Sequence, residues 1–433
     1  MKKEAVFYTA KELVEKGKDN IPQEMISNTH LIYSSPATLA YNSPGAEGFG
    51  VKRASLAVPG SVMLLVAPGC CGRNTSSLSE LPGYKDRFFY LMMDETDLIT
   101  GRHLDKIPQA IEEVVNYLPK KPSVVMICIT CVDALLGTDM ERVCRKAEKK
   151  TGVKVRPSYM YALTREGRKP PMVNVRQSIY SMLESRKRKS NVVNIMGFFA
   201  PLKDDCELYS ILAKAGVKKI NEISRCKDFD EYMTMSEANF NLVLNPEARY
   251  AADDIQKRLG IPSIELVRFY QTDRIQKQYK AFSQVLGITI DDEEYKQEAE
   301  EEIIRFKNAY PDTTFAIGES INANPFELAL ALVRYGFKVS EIYGTLIPDY
   351  YVYLNKLAAI SPDTKVFSNL EPTMLYYNCS TSEVDLTIGK DAGFYHPNCR
   401  NVQWNSDVQP FGYEGVRDLF KSLFDAMEKE EME

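Results

Sequence analysis

Hydrophobic residues in this chain gather into short, near-continuous apolar runs separated by stretches with helical spacing. The clearest runs are Val62 to Ala67, Phe88 to Met92 and Val124 to Ile129, followed by NVVNIMGF from Asn191, FNLVLN from Phe240 and TTFAIG from Thr313. Runs of this length without alternation predict strands covered on both faces. Between them, amphipathic stretches close on glycine: ERVCRKAEKKTG at Gly152, LYSILAKAG at Gly216, AADDIQKRLG at Gly260 and ELALALVRYG at Gly336. Each is followed by a short apolar strand start, and glycine there is the residue that lets a helix end in a left-handed turn. Asn324-Pro325 supplies an N-cap and a proline at the first helical position. This alternation predicts βαβ units with right-handed crossovers and therefore parallel sheets. Charge runs mark the joints, SRKRKS ending at Ser190 and DDEEYKQEAEEE from Asp291. The expected fold is α/β, with three doubly wound, Rossmann-like lobes over residues 1–190, 191–310 and 311–433.

Two strands of the first lobe end on cysteine. Val62–Ala67 stops at Pro68-Gly69 and is followed at once by Cys70 and Cys71, while Val124–Ile129 leads into Cys131. Open parallel sheets bind ligands beyond the carboxyl ends of their strands. Helix amino-termini gather there too, and they favour a thiolate or an anionic metal-sulfur cluster. The plainer reading is inert core cysteines, which are common. Cys128 completes a CxxC with Cys131, but residues three apart in a strand point to opposite faces, so both reach one metal only if the chain turns between them. Cys144, Cys206 and Cys226 read as structural. Asp94, Glu95 and Asp97 offer either an acid/base pair or ordinary solvated loop carboxylates.

Composition narrows the function. With 433 residues, 44% hydrophobic and 26% charged, the chain has room for several cores. A net charge of -5 and one short basic cluster, Arg186 to Lys189, exclude a nucleic-acid partner. The first twenty residues mix Lys and Glu without an apolar core, and no apolar run approaches membrane-spanning length. A cytoplasmic protein without a membrane partner is expected. Nine cysteines in a reducing compartment point to metal or redox use rather than disulfides. Three histidines without HExxH argue against a histidine-rich zinc site. Neither GxxxxGK[ST] nor a strand-linked GxGxxG is present, so any nucleotide belongs to another chain.

Taken in order, APGCCGRNTS, TCVDALLGTD with Cys131, Gly137 and Asp139, VLNPEARYAADDIQKRLGIP, TFAIGESINANPFELALALVRYGF and FGYEGVRDLF carry a resemblance over nearly the whole chain. The sequence resembles component 1 of nitrogenase and its relatives, among them dark-operative protochlorophyllide reductase and the reductive cyclase of nickel-tetrapyrrole synthesis. The resemblance implies three α/β lobes around a cavity and an iron-sulfur cluster at the interface of two component 1 chains. It also implies a separate ATP-dependent iron-sulfur reductase that delivers electrons. The family's second cluster cysteine falls at Cys71, with Cys70 as the alternative, and the third at Cys131. The first has no counterpart in the turn from Leu39 to Gly45, where Asn42 or a neighbour stands. The cysteine and histidine that hold the iron-molybdenum cofactor align with Asn245 and, approximately, Val402. Neither can replace its ligand, so no iron-molybdenum cofactor and no dinitrogen reduction are expected.

A cubane cluster takes four thiolates, and one chain supplies two. A two-fold homodimer, or a paralogous heterodimer, supplies four around a shared [4Fe-4S] cluster. Residues expected around a small organic substrate are Asn245, Arg249, Glu319, Asn322, His396, Cys399 and Trp404. Arg249 suits an anionic carboxylate or a surface ion pair, and His396 a proton donor. The function implied is a nitrogenase-like oxidoreductase subunit. Its alternatives are a scaffold or maturation protein for a cluster or cofactor, and a non-catalytic binder of a small anionic ligand.

Overall fold

A computed structural model of the protein describes residues 4–26, 37, 50–69, 78–130, 136–160 and 169–429. The chain divides into two compact units, one of residues 44–201 and 216–267, the other of residues 1–43, 202–215 and 268–433. The short strand β1 (Tyr8–Thr9) comes first and belongs to the second of these units.

The unit of residues 44–201 and 216–267 holds two four-stranded parallel sheets. The first takes β2 (Val62–Ala67), β3 (Phe88–Met92), β4 (Val124–Ile129) and β5 (Lys154–Tyr159) in the order β3-β2-β4-β5. Central strands β2 and β4 are buried at every position, which is why their sequences are continuous apolar runs. Edge strand β3 leaves Tyr90 and Met92 exposed. Ile107 and Ile111 of the helix His103–Tyr117, with Val143 and Ala147 of the helix Met140–Thr151, cover Leu64, Val66, Ile127 and Ile129. The second helix is bounded as its sequence requires. Asp139 accepts from Arg142 N at 3.0 Å at its start, and Gly152, at φ 64°, ends it.

The second sheet takes β6 (Val192–Met196), β7 (Lys219–Glu222), β8 (Phe240–Val243) and β9 (Ser263–Glu265) in the order β7-β6-β8-β9. Three asparagines in register run across it. Asn194 Nδ2 donates to Asn241 Oδ1 at 2.8 Å, and Asn221 Nδ2 donates to Asn194 Oδ1 at 3.0 Å. Each amide thus bonds its neighbour across the sheet, and Asn221 Oδ1 at the end of the row is left without a hydrogen bond among the described residues.

The other unit is built on β10 (Thr314–Ile317), β11 (Lys338–Tyr343), β12 (Lys365–Phe367), β13 (Leu386–Ile388) and β14 (Arg400–Val402), in the order β1-β12-β11-β10-β13-β14. All pairs are parallel except β1, which runs antiparallel to β12 with Tyr8 opposite Val366. Residues 202–215 pack with the carboxyl-terminal unit rather than with their flanking strands. Phe306, from the helix Glu293–Ala309, meets the rings of Phe315, Phe337 and Phe420. The helix Gly412–Glu428 starts on a carboxylate. Glu207 accepts from Tyr413 N at 2.7 Å and Glu414 N at 3.2 Å, filling donors that a helix start leaves open. Gly412, at φ 65°, makes this approach, since a Cβ there would lie 1.9 Å from Glu207 Oε1. The FGYEG motif is thus a docking turn for Glu207.

Each sheet is wound alike. From its first parallel strand the chain steps to one side and then crosses back to the other, so each has one point where the winding reverses: between β2 and β4, β6 and β8, and β10 and β13. Doubly wound sheets open a crevice at that point.

Candidate functional site: three strand-end crevices

At the first crevice, β2 and β4 are adjacent and parallel, with Val66 opposite Ile129. Cys70 and Cys71 follow Ala67 by three and four positions, and Cys131 follows Thr130 directly. These three cysteines, like Asn42, lie outside the described residues. The described rim consists of Pro68, Gly69 and Thr130. Tyr90 donates to the carbonyls of Ala67 at 2.9 Å and Pro68 at 2.5 Å, fixing the turn that precedes the thiols. Thr130 Oγ1 is buried and has no hydrogen-bond partner among the described residues, an orphaned group next to Cys131 in the sequence. Cys128 is a correction to the ligand set. It lies inside β4 opposite Leu65, buried with Leu56, Met63 and Ala67, so its thiol belongs to an apolar core rather than to the rim.

The carboxylates at Asp94, Glu95 and Asp97 are not an acid/base pair. They open the helix Glu95–Thr100 as a capping box, and Asp97 is buried against Lys106 Nζ at 2.6 Å. The Lys106 hydrogen bond holds the Asp97 carboxyl below its ordinary range.

At the second crevice Gly197 (φ 124°) ends β6, where a Cβ would lie 2.7 Å from Asn245 N. Asn245 sits on the rim but caps the turn after β8, accepting from Glu247 N at 3.0 Å. Arg249 is half-exposed and forms a two-pronged ion pair with Glu265, at 2.7 and 2.6 Å. The surface-pair alternative is the one realised. A different arginine holds this crevice: buried Arg176 donates to Gly197 O at 3.0 and 2.6 Å and to Glu247 at 2.8 Å. Its signal in the sequence was a lone cation on the apolar face of the helix Pro171–Tyr180, beside Val173 and Ile179.

The third crevice is carboxylate-lined. Asp391 accepts from Glu319 N at 2.7 Å, Asn369 Nδ2 at 2.8 Å and Ser320 N at 3.4 Å. A Cβ at Gly318 would fall 2.0 Å from Asp391 Oδ1, so only glycine admits this clasp. Glu319 accepts from Thr345 N at 2.9 Å. Burial pushes both carboxyls up, and the Asp391 charge raises Glu319 further. Asn322 receives Tyr270 OH on its carbonyl at 2.8 Å, and Trp404 Nε1 donates to the same hydroxyl at 2.7 Å. Asn322 N in turn donates to Trp404 O at 2.8 Å. Trp404 has φ 40°, an unusual backbone for a bulky residue and one held by this network. Glu327, fully buried, anchors the segment from below by accepting from Tyr270 N at 3.1 and 3.0 Å, and burial pushes it up to about 7.

His396 is not on this rim. It is buried on a face of the sheet, with Nε2 3.0 Å from Glu341 and 2.9 Å from the hydroxyls of Tyr343 and Tyr377. Burial raises the Glu341 carboxyl, but hydrogen bonds from His396, Ser382, Tyr343 and Tyr377 outweigh it and hold Glu341 at about 2. His396 is thus a donor in a closed cluster, which no local pattern could reveal because its partners come from two distant segments, β11 and the stretch at Tyr377. Cys399, partly buried, donates to Val384 O at 3.1 Å, and burial pushes its thiol up. Among the described residues no group of three or more His, Cys, Asp or Glu could hold a metal, and no helix is long and apolar enough to cross a membrane.

The fold and its motifs have close parallels. The fold resembles a solved structure described as "Nitrogenase Cp1 at pH 6.5", with a TM-score of 0.70 and 15% identity over 97% of this chain and 98% of that one. Among curated proteins, the chain is 27% identical over 197 residues to the nitrogenase iron-molybdenum cofactor biosynthesis protein NifE of Clostridium pasteurianum, covering 45% of this chain and 42% of that protein. It is 25% identical over 225 residues to the nitrogenase molybdenum-iron protein alpha chain of Methanosarcina barkeri, covering 51% and 41%. The matches thus span less than half the length of these relatives. A family model described as "Nitrogenase component 1 type Oxidoreductase" matches residues 47–428. The chain belongs to the nitrogenase component 1 type oxidoreductases.

Proposed function

We propose that this chain is a nitrogenase-like redox subunit that grips an iron-sulfur cluster jointly with a second chain and serves the reduction of a small organic substrate other than dinitrogen. The observation that carries the reading is the pairing of β2 with β4, which makes neighbours of the two strand ends that lead into Cys71 and Cys131. An orphaned hydroxyl at Thr130 marks a rim lacking one polar contact, and thiolates are the donors iron-sulfur clusters take. Cys71 and Cys131 are the proposed ligands, with Cys70 in reserve. The remaining thiolates come from the partner, a second copy or a paralogue. When bound, such a cluster supplies one-electron transfer, fed by an ATP-dependent reductase partner.

The protein's own residues set the geometry and the protons. Arg176 fixes the second crevice so that Asn245 presents its rim. Glu319, its carboxyl raised above the ordinary range by burial and by Asp391, is the proposed proton-holding group at the third crevice. Arg249 and His396 are committed to Glu265 and Glu341, which moves the proton role from His396 to Glu319. Anaerobic purification, iron and sulfide analysis and electron paramagnetic resonance of the reduced protein test the proposal. A metal-free protein under strict anaerobiosis would refute it.

A second reading is favoured by the names of the relatives, several of which are cofactor biosynthesis proteins. In that role the chain would hold a cluster or cofactor precursor for transfer. Turnover with a reductase partner supports the first reading; transfer of metal to an apo-enzyme without turnover supports the second.

A further inference from the structure

Six cysteines fall among the described residues, and three of them are buried. Of the other three, Cys226 belongs to the unit of residues 44–201 and 216–267, while Cys379 and Cys399 share the carboxyl-terminal unit. Two contacts set the stretch from Tyr377 to Val384 alongside the stretch from His396 to Arg400. At one end the Tyr377 hydroxyl lies 2.9 Å from His396 Nε2, and at the other Cys399 Sγ donates to Val384 O at 3.1 Å. Cys379 stands between these contacts, two residues past Tyr377 and five before Val384. It opens a tight turn in which Ser382 N donates to Cys379 O at 3.0 Å, which shortens the path from Cys379 to Val384. Cys399 is drawn back in the same way, its N donating to His396 O at 3.1 Å. Beyond both stretches β13 pairs with β14, Leu386 opposite Arg400, which keeps them side by side.

The two sulfurs are near enough to influence each other. Burial is the main cause that pushes the Cys399 thiol up, and a negative charge on Cys379 is the next, ahead of Asp385 and Glu341. Both cysteines are partly exposed, so a small reagent has a path to them. Among the described residues they have no third donor with which to hold a metal. Neighbouring thiols of this kind are suited to oxidation to a disulfide. We propose that Cys379 and Cys399 form a reversible disulfide, with a low-molecular-weight disulfide such as glutathione disulfide as the oxidant. The pair is independent of the iron-sulfur reading.

The exchange takes two steps. The Cys379 thiolate attacks one sulfur of glutathione disulfide and expels the other half as a thiolate, which leaves a mixed disulfide on Cys379. Cys399 then gives up its proton, attacks the Cys379 sulfur and expels the second glutathione. Two electrons leave the cysteine pair, and the two protons it loses end on the two glutathione thiols. Cys399 is the second to react because its thiol is engaged by Val384 O and burial keeps it protonated. The bridge closes a loop that contains β13 and the helix Lys390–Tyr395, and it fastens the segment bearing Asp391 and His396 to the one bearing Tyr377. Asp391 holds Glu319 N at 2.7 Å, so oxidation stiffens the frame of the third crevice.

The full chain treated with excess glutathione disulfide, alkylated and mapped by mass spectrometry tests this. A peptide pair joined through Cys379 and Cys399 is expected, with loss of both from the alkylated fraction and their return after dithiothreitol. Cys399→Ser keeps a donor for Val384 O, and it is expected to hold the glutathione adduct on Cys379 on the order of tenfold above its level in the unmutated chain. Hydrogen exchange of the amides from Ser380 to Val384 is expected to slow on the order of tenfold on oxidation, and not in Cys399→Ser. Full alkylation of both cysteines after oxidation, pairing of either with a different cysteine, an adduct level indifferent to Cys399→Ser, or exchange that does not slow would each overturn the proposal.

Discussion

The first and third crevices have the same winding and opposite chemistry. Between β2 and β4 the strand ends lead into thiols, while between β10 and β13 they lead into Glu319 and Asp391. The same topology carries soft sulfur donors in one place and hard carboxylate oxygens in the other. Strand order thus fixes where chemistry can occur, and the first few residues after each strand decide which kind.

The sharpest way to break the comparison is at the thiols. Cys71→Ser and Cys131→Ser are each expected to remove nearly all bound iron and sulfide from anaerobically purified protein, by metal analysis, with the fold retained by circular dichroism. Retention of iron in both would leave the first crevice without a special role. Next in size comes Gly318→Ala, which drives a methyl group into Asp391 and is expected to cost about 1–3 kcal/mol in urea unfolding without loss of iron.

Two buried carboxylates of the carboxyl-terminal unit then give opposite pH windows. Glu327 has a folded value of about 7 against an ordinary 4.5, so the folded state keeps a proton the unfolded chain has released. Stability therefore falls as pH rises from 4.5 through 7, and Glu327→Gln is expected to flatten that part of the melting-temperature profile. Glu341, held at about 2, contributes stability that is present above 4.5 and lost as pH falls toward 2, a limb that Glu341→Gln is expected to remove. The smallest effect belongs to Arg249→Ala. Its ion pair with Glu265 is half-exposed, and a change within about 1 kcal/mol is expected, again with iron unaffected.

What the sequence revealed was local. β2, β3 and β4 lie where their apolar runs predicted, Gly152 and Gly260 end helices in left-handed turns, and Asn324 caps its helix by accepting from Phe326 N and Glu327 N. Partnerships between distant segments were hidden. Nothing near Tyr8 announces that it will pair with Val366, nothing near Glu207 that it will cap a helix two hundred residues on, and nothing near His396 that Glu341 will claim it. Arg249 and Arg176 make the same point. Both are helix arginines, and only burial tells the surface pair from the clasp at Gly197.

The pairing of β1 with β12 has a consequence for how the protein is made. Tyr8 leaves the ribosome long before Val366, so β1 waits unpaired while everything between them is made. All of residues 44–267 has emerged before the large closing segment of the other unit begins, so one unit can finish its core while the other still lacks most of its chain. The amino-terminal residues then act as a late seal. Truncating them would leave the edge of β12 open as a template for a stray strand.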